Sequence, residues 1–154
     1  MYCFRLKNAV RSAAKELCVS CKYLLRRDEF FMLKRILVVD DSAKFRYAVR
    51  AFLENQTGFE VCGEAVDGDD AIEKAKELKP DLILLDLLMP GMNGVEITSV
   101  LKAMMPEVPI ILLTAHDDKV GKALAPVAGA SVVVEKQDGM NKLIEFAQGL
   151  LERY

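Results

Sequence analysis

From residue 35 onward, five short apolar runs alternate with segments whose apolar residues recur at helical spacing, a pattern satisfied by βα repetition. The runs occupy 36–39, 59–66, 82–85, 110–113 and 132–134. Three are nearly unbroken hydrophobics, as expected of parallel strands covered on both faces by helices, whereas 59–66 carries Glu60 and Glu64 and reads as an edge strand. Between them Phe45, Val49, Phe52 and Leu53, then Ala71, Ile72, Ala75 and Leu78, then Ile97, Val100, Leu101 and Met104 each form a helical stripe. A last stripe of Met140, Leu143, Ile144, Ala147, Leu150 and Leu151 follows Asp138, placed to cap it. Five strands with alternating helices and right-handed crossovers make a three-layer α/β/α sandwich.

The 154 residues suit one domain with a core of ordinary size, and the last helix leaves no room for an output domain after it. The formal charge of −2 hides an asymmetry. Residues 1–35 hold nine basic and three acidic side chains, whereas 36–154 hold twelve and twenty. Within 1–31, Leu6, Val10, Ala13, Leu17, Cys21 and Leu24 line one face of a basic amphipathic helix, with Lys7, Arg11, Lys15 and Lys22 adjoining. Such an extension suits anionic lipid, nucleic acid or a partner helix. Met32 stands where the βα pattern could itself begin, so an upstream start-site assignment accounts for 1–31 equally well. No run reaches the roughly 18 apolar residues of a membrane span, and no secretory signal is visible, which points to a cytoplasmic protein without membrane insertion. Cys18 and Cys21, with Cys3, lack a fourth zinc ligand nearby, and Cys62 lies apart, so reduced, packed thiols are expected.

In open α/β sheets ligands bind at the carboxyl ends of the strands. Those ends carry Asp40 and Asp41, Asp86, Thr114, and Glu135 with Lys136. Any one of the Asp or Thr residues could cap the following helix, but Asp40 and Asp86 are not the last residues before one. Close carboxylates repel unless a cation sits among them, and an oxygen-only site suits Mg²⁺. A carboxylate held beside Mg²⁺ and an ammonium can attack a phosphoryl group, with Thr114 donating a hydrogen bond to it.

Together ILVVDDS at 36–42, LLDLLMPGMNG at 84–94, TA at 114–115, GA at 129–130 and Lys136 make residues 34–152 resemble a response-regulator receiver domain of bacterial two-component signalling, in its stand-alone form. The resemblance implies a flavodoxin-like doubly wound sheet of strand order 2-1-3-4-5, with the receiver at 32–154 and a helical extension before it. It implies Asp86 as phosphoacceptor, and Asp41, Asp86 and the Leu88 main-chain carbonyl as Mg²⁺ ligands assisted by Asp40. Lys136 would pair with phosphoryl oxygens and Thr114 would be the switch hydroxyl. The donor would be a histidine kinase or phosphotransfer protein, the target an unidentified protein, with homodimerisation open and no turnover beyond self-directed phosphotransfer and autodephosphorylation. The stretch GFEVCGEAVDG at 58–68 is similar to receivers that usually precede a helix-turn-helix domain.

Two positions depart from that family's pattern. Val133 stands where an aromatic ring usually reports on the pocket, and Gln137 where a proline usually follows the lysine, so the peptide after Lys136 is expected to be trans. Both weaken the usual coupling to the strand-four to strand-five face, and Pro126 should shorten or kink the fourth helix. His116 fits either the pocket rim or a solvated position beside Asp117. The competing functions are a nucleic-acid-binding regulator using 1–31 as a basic arm, a metal-dependent aspartyl phosphatase and a receiver that never phosphorylates. The phosphatase reading meets Leu88 where such enzymes commonly place a second Asp.

Overall fold

The computed structural model describes residues 33–91, 93–115 and 119–152. The expectations for the basic segment 1–31, for Cys3, Cys18 and Cys21, and for His116 and Asp117 lie outside the described residues.

The expected alternation is present. Strands β1 (Lys34–Val39), β2 (Phe59–Ala65), β3 (Leu82–Asp86), β4 (Ile110–Thr114) and β5 (Val132–Glu135) alternate with helices α1 (Ala43–Glu54), α2 (Gly68–Leu78), α3 (Gly94–Met104) and α4 (Lys119–Leu124). A 3₁₀ turn at Lys136–Asp138 and helix α5 (Met140–Leu151) follow. All strand pairs are parallel and the order is β2-β1-β3-β4-β5, which puts the Glu-bearing strand at an edge. In β2, Cys62 is the extra residue of a bulge, since Ile36 pairs with Val61 and Leu37 with Gly63.

Strand side chains alternate between two faces, so one sheet feeds two cores. Ile36, Val38, Leu82, Leu84, Ile111 and Leu113 pack with Val49 and Leu53 of α1 and with Leu143, Ile144 and Ala147 of α5. Leu37, Val39, Ile83, Leu85, Ile110 and Leu112 pack with Ala71 and Ala75 of α2 and with Ile97 and Leu101 of α3. The strands are hydrophobic on both faces because both faces are covered.

Two local expectations are corrected. Asp138 does not cap α5: Gly139, with φ +86, holds the N-cap position and no side chain bonds there. Asp138 lies in the 3₁₀ turn and pairs with Lys142 at 2.8 Å. On α3, Val100 is exposed and Thr98 is buried in the stripe instead, its hydroxyl donating to the Gly94 carbonyl at 2.7 Å. That bond satisfies the hydroxyl and lets a threonine occupy a core position. Helix α4 ends at Leu124, two residues before Pro126. Among the described residues, no helix is long and apolar enough to cross a membrane.

Candidate functional site

The strand order reverses between β1 and β3, which run side by side while their following helices depart to opposite faces. Asp86 ends β3, and Asp40 and Asp41 directly follow β1. One carboxylate oxygen from each of Asp40, Asp41 and Asp86 lies within 4.8 Å of the others. Asp40 is fully buried and Asp86 nearly so, whereas Asp41 is exposed and gives the cluster an open side.

Lys136 reaches the cluster from just beyond β5, two strands away from β3. Its Nζ lies 2.7 Å from Asp40 Oδ2 and 2.9 Å from Asp86 Oδ2. Burial by itself lowers the lysine pKa, but hydrogen bonds to Asp40 and Asp86 outweigh it and leave the ammonium above its ordinary range. For Asp86 burial dominates and pushes the carboxyl up, the hydrogen bond from Lys136 offsetting only part of it.

Local hydrogen bonds fix the acidic groups. The Ser42 amide donates to Asp40 Oδ1 at 2.8 Å, and Ser42 Oγ in turn caps α1 by accepting from the Phe45 amide at 3.4 Å. The Leu88 amide donates to Asp86 Oδ1 at 3.4 Å. Thr114 ends β4, is fully buried, and donates its hydroxyl to the Ala115 carbonyl at 3.0 Å. Thus Asp40, Asp41, Asp86 and Lys136 form one constellation, while the Thr114 hydroxyl is engaged locally. Glu135 points elsewhere and pairs with Lys122 of α4.

Three supporting residues were given no role by the sequence, although Gly94 closes the motif at 84–94. Arg46 on α1 donates to the Asp40 carbonyl at 2.7 Å and pairs with Glu64 at 3.1 Å, tying the end of β1 to β2. The signal was available as an arginine on the stripe-bearing helix opposite an acidic edge strand. Phe45 places its ring 4.5 Å from Lys136 Nζ. Gly94 opens α3 so close to β3 that a Cβ would fall 2.6 Å from the Asp86 carbonyl oxygen.

The donor set fits a hard divalent cation: it is oxygen-only, partly buried and open on one side. With its carboxyls ionised, the cluster of three carboxylates and one ammonium carries a net charge that one such cation would balance.

The departures of the sequence are accommodated. Val133 is half-buried and packs into the α2/α3 core. No peptide among the described residues is cis, so the Lys136–Gln137 bond is trans, and Gln137 Nε2 donates to Glu135 Oε2 at 2.7 Å.

The family model for the response regulator receiver domain matches residues 36–148. Among curated proteins, the response regulator protein VraR of Staphylococcus saprophyticus is 46% identical over 92 residues, covering 58% of this chain and 44% of that protein. VraR of Staphylococcus epidermidis is 45% identical over 95 residues, covering 60% and 46%. The chain thus spans less than half the length of these curated relatives. Among solved structures, the response regulator domain of Thermotoga maritima CheB is 30% identical with a TM-score of 0.72, covering 78% of this chain and 97% of that one. A two-component response regulator of the LuxR family from Aurantimonas is 30% identical with a TM-score of 0.74, covering 78% and 86%.

Proposed function

This chain belongs to the response regulator receiver domain family, a signalling component of two-component systems, and on that premise we propose that Asp86 is its phosphoacceptor. The observation that carries the reading is the junction of Asp40, Asp41 and Asp86 with the Lys136 ammonium at one strand-end crevice. An Asp86 carboxylate oxygen attacks the phosphorus of a phosphohistidine in a histidine kinase or phosphotransfer protein. A P–O bond forms, the donor P–N bond breaks, and the imidazole keeps the electron pair and takes a proton from solvent.

Asp41, Asp86 and the Leu88 carbonyl would hold Mg²⁺ in this reading, with Asp40 assisting, and the bound ion would supply charge neutralisation for phosphoryl transfer. Lys136 keeps its bond to Asp40 and transfers the other from Asp86 to a phosphoryl oxygen. The ammonium starts beside the reacting carboxylate, 2.9 Å from Asp86 Oδ2, while 2.7 Å from Asp40 Oδ2. Thr114 releases the Ala115 carbonyl and donates to the phosphoryl group, so the end of β4 at Thr114 and Ala115 is the element that phosphorylation biases. Val133 is packed into the core, so the response passes through Thr114 rather than through a swinging ring at 133. The boundary at residue 32 and a protein target belong to the same proposal.

The test is chemical. Incubation with Mg²⁺ and a small acyl phosphate should add one phosphoryl mass to the wild type and none to Asp86→Asn. Equal labelling of the two, or no labelling of either, overturns the assignment.

A further inference from the structure

Lys136 is held from three sides. Asp40 Oδ2 and Asp86 Oδ2 accept two hydrogen bonds, and the Phe45 ring covers a third direction at 4.5 Å from Nζ to the ring centroid. An ammonium has three N–H groups, and the face of an aromatic ring carries the negative part of its quadrupole. We propose that Phe45 is a positioning residue for phosphoryl transfer, aiming the Lys136 ammonium at the phosphoryl group while its bond to Asp86 is exchanged. This rests on Asp86 being the phosphoacceptor and deepens that reading.

The placement of the ring is built into the site. Asp40 Oδ1 binds the Ser42 amide, and Ser42 Oγ binds the Phe45 amide. These bonds start α1 and set Phe45 on its first turn. The ring then contacts the same ammonium that binds Asp40 Oδ2, so Asp40, Ser42, Phe45 and Lys136 close a ring of contacts. Phe45 is also half-buried against the α1/α5 core, which limits the rotamers open to it.

Transfer makes this support matter. When Asp86 takes the phosphoryl group, the ammonium loses one of its two carboxylate partners and needs a phosphoryl oxygen in its place. Asp40 alone leaves a flexible four-carbon side chain free to pivot about one bond. The aromatic face supplies a second fixed direction that does not change during the reaction. Its contribution is preorganisation, expressed in the rate of transfer. A leucine at 45 would fill much of the same space in the core without attracting the cation.

The experiment uses the full chain with Mg²⁺ and a small acyl phosphate. Phe45 is replaced by 4-fluoro- and 3,4,5-trifluorophenylalanine, which keep the ring shape and progressively weaken its negative face, and by Tyr and Leu. Melting temperatures establish that the series is folded. The logarithm of the phosphorylation rate constant should fall steadily with fluorination. The total loss should be about three- to tenfold for the trifluoro ring and for Phe45→Leu, with Phe45→Tyr retaining the wild-type rate within about twofold. A flat fluorination series, with the wild type still labelled on Asp86, overturns the role of Phe45 and leaves the phosphoacceptor assignment standing. A wild type that takes no label overturns both.

Discussion

Gly94→Ala would test whether the close approach of α3 to β3 holds the acidic site in place. A Cβ at position 94 would lie 2.6 Å from the Asp86 carbonyl oxygen, 2.7 Å from Leu87 Cα and 3.1 Å from the Leu87 carbonyl oxygen. All three atoms are backbone, so no side-chain rotation relieves the overlap. Ordinary contacts lie at about 3.5–4 Å, so the start of α3 and the chain from Asp86 to Leu88 must separate by about 1 Å. The Gly94 amide bond to the Leu87 carbonyl, 3.0 Å long, is stretched in the process. Overpacking of this kind costs about 1–3 kcal/mol, equivalent to a melting temperature roughly 3–15 °C lower for a domain of this size. The displaced segment carries Asp86 and the Leu88 carbonyl, and a misplacement of about 1 Å at a reacting centre can slow chemistry by as much as about 100-fold. The assay pairs thermal unfolding with the rate of phosphorylation by an acyl phosphate. A variant that melts like the wild type and phosphorylates within twofold of it would refute the claim that this contact positions the site.

Gly149→Ala is the converse case, because nothing lies within 4 Å of a Cβ at this exposed position on α5. Alanine should stabilise the helix by up to about 1 kcal/mol in chemical denaturation, and a loss of stability would contradict the open surroundings. Glu64 has its carboxyl held below the ordinary range, chiefly by the hydrogen bond from Arg50, which together with Arg46 outweighs burial. A depressed folded pKa gives stability that is present above the unfolded value of about 4.3 and is lost as pH falls through the folded value. The stability gap between wild type and Glu64→Gln should therefore be constant near neutrality and close below about pH 4.5, and a gap that widens with acid would be inconsistent. Lys136→Met leaves Asp40 and Asp86 buried without their shared cation and should cost about 3–5 kcal/mol without Mg²⁺. Added Mg²⁺ should recover part of that loss in thermal unfolding, and an equal loss with and without the ion would argue against a metal among these carboxylates.

The strands were legible because most are hydrophobic on both faces, as in Leu82 to Leu85 and Ile110 to Leu113, whereas their order came from the family resemblance. The acidic cluster was legible for a related reason: Asp40 and Asp86 interrupt or end apolar runs where a charge has no packing purpose. Asp138 was misplaced as a cap because it stands just before a helical stripe, yet a 3₁₀ turn and Gly139 intervene. Val100 fitted the apolar pattern of α3 by residue type, but helix phase gives its buried place to Thr98, whose hydroxyl is satisfied within the helix. Phe45, Arg46 and Gly94 were harder to read as site residues for a stronger reason, although Arg46 faces an acidic edge strand and Gly94 closes the motif at 84–94. Their importance lies in contacts between elements that no local spacing encodes.

The position of Lys136 shows how the fold meets an unfavourable demand. Two carboxylates this buried need a cation at hand, and they sit at the ends of β1 and β3, interior strands whose own side chains are apolar. From just beyond β5 the turn at Lys136 and its long side chain together span the two strand spacings, of about 5 Å each, back to β3. The lysine ammonium is compact enough to bind both carboxylates through single oxygens. An arginine there would favour a two-pronged bond to one carboxylate, leaving the other without a partner. The same long reach makes the ammonium free to pivot, which is why Asp40 and the Phe45 ring flank it. If Asp86 is the phosphoacceptor, as proposed, stability and transfer chemistry ask the same thing of this residue, a cation held by partners that stay fixed while Asp86 changes charge. The constraint falls on length and shape as well as on sign, so Lys136→Arg should keep much of the stability and lose most of the phosphorylation rate. Near-wild-type phosphorylation of that variant would show that charge suffices.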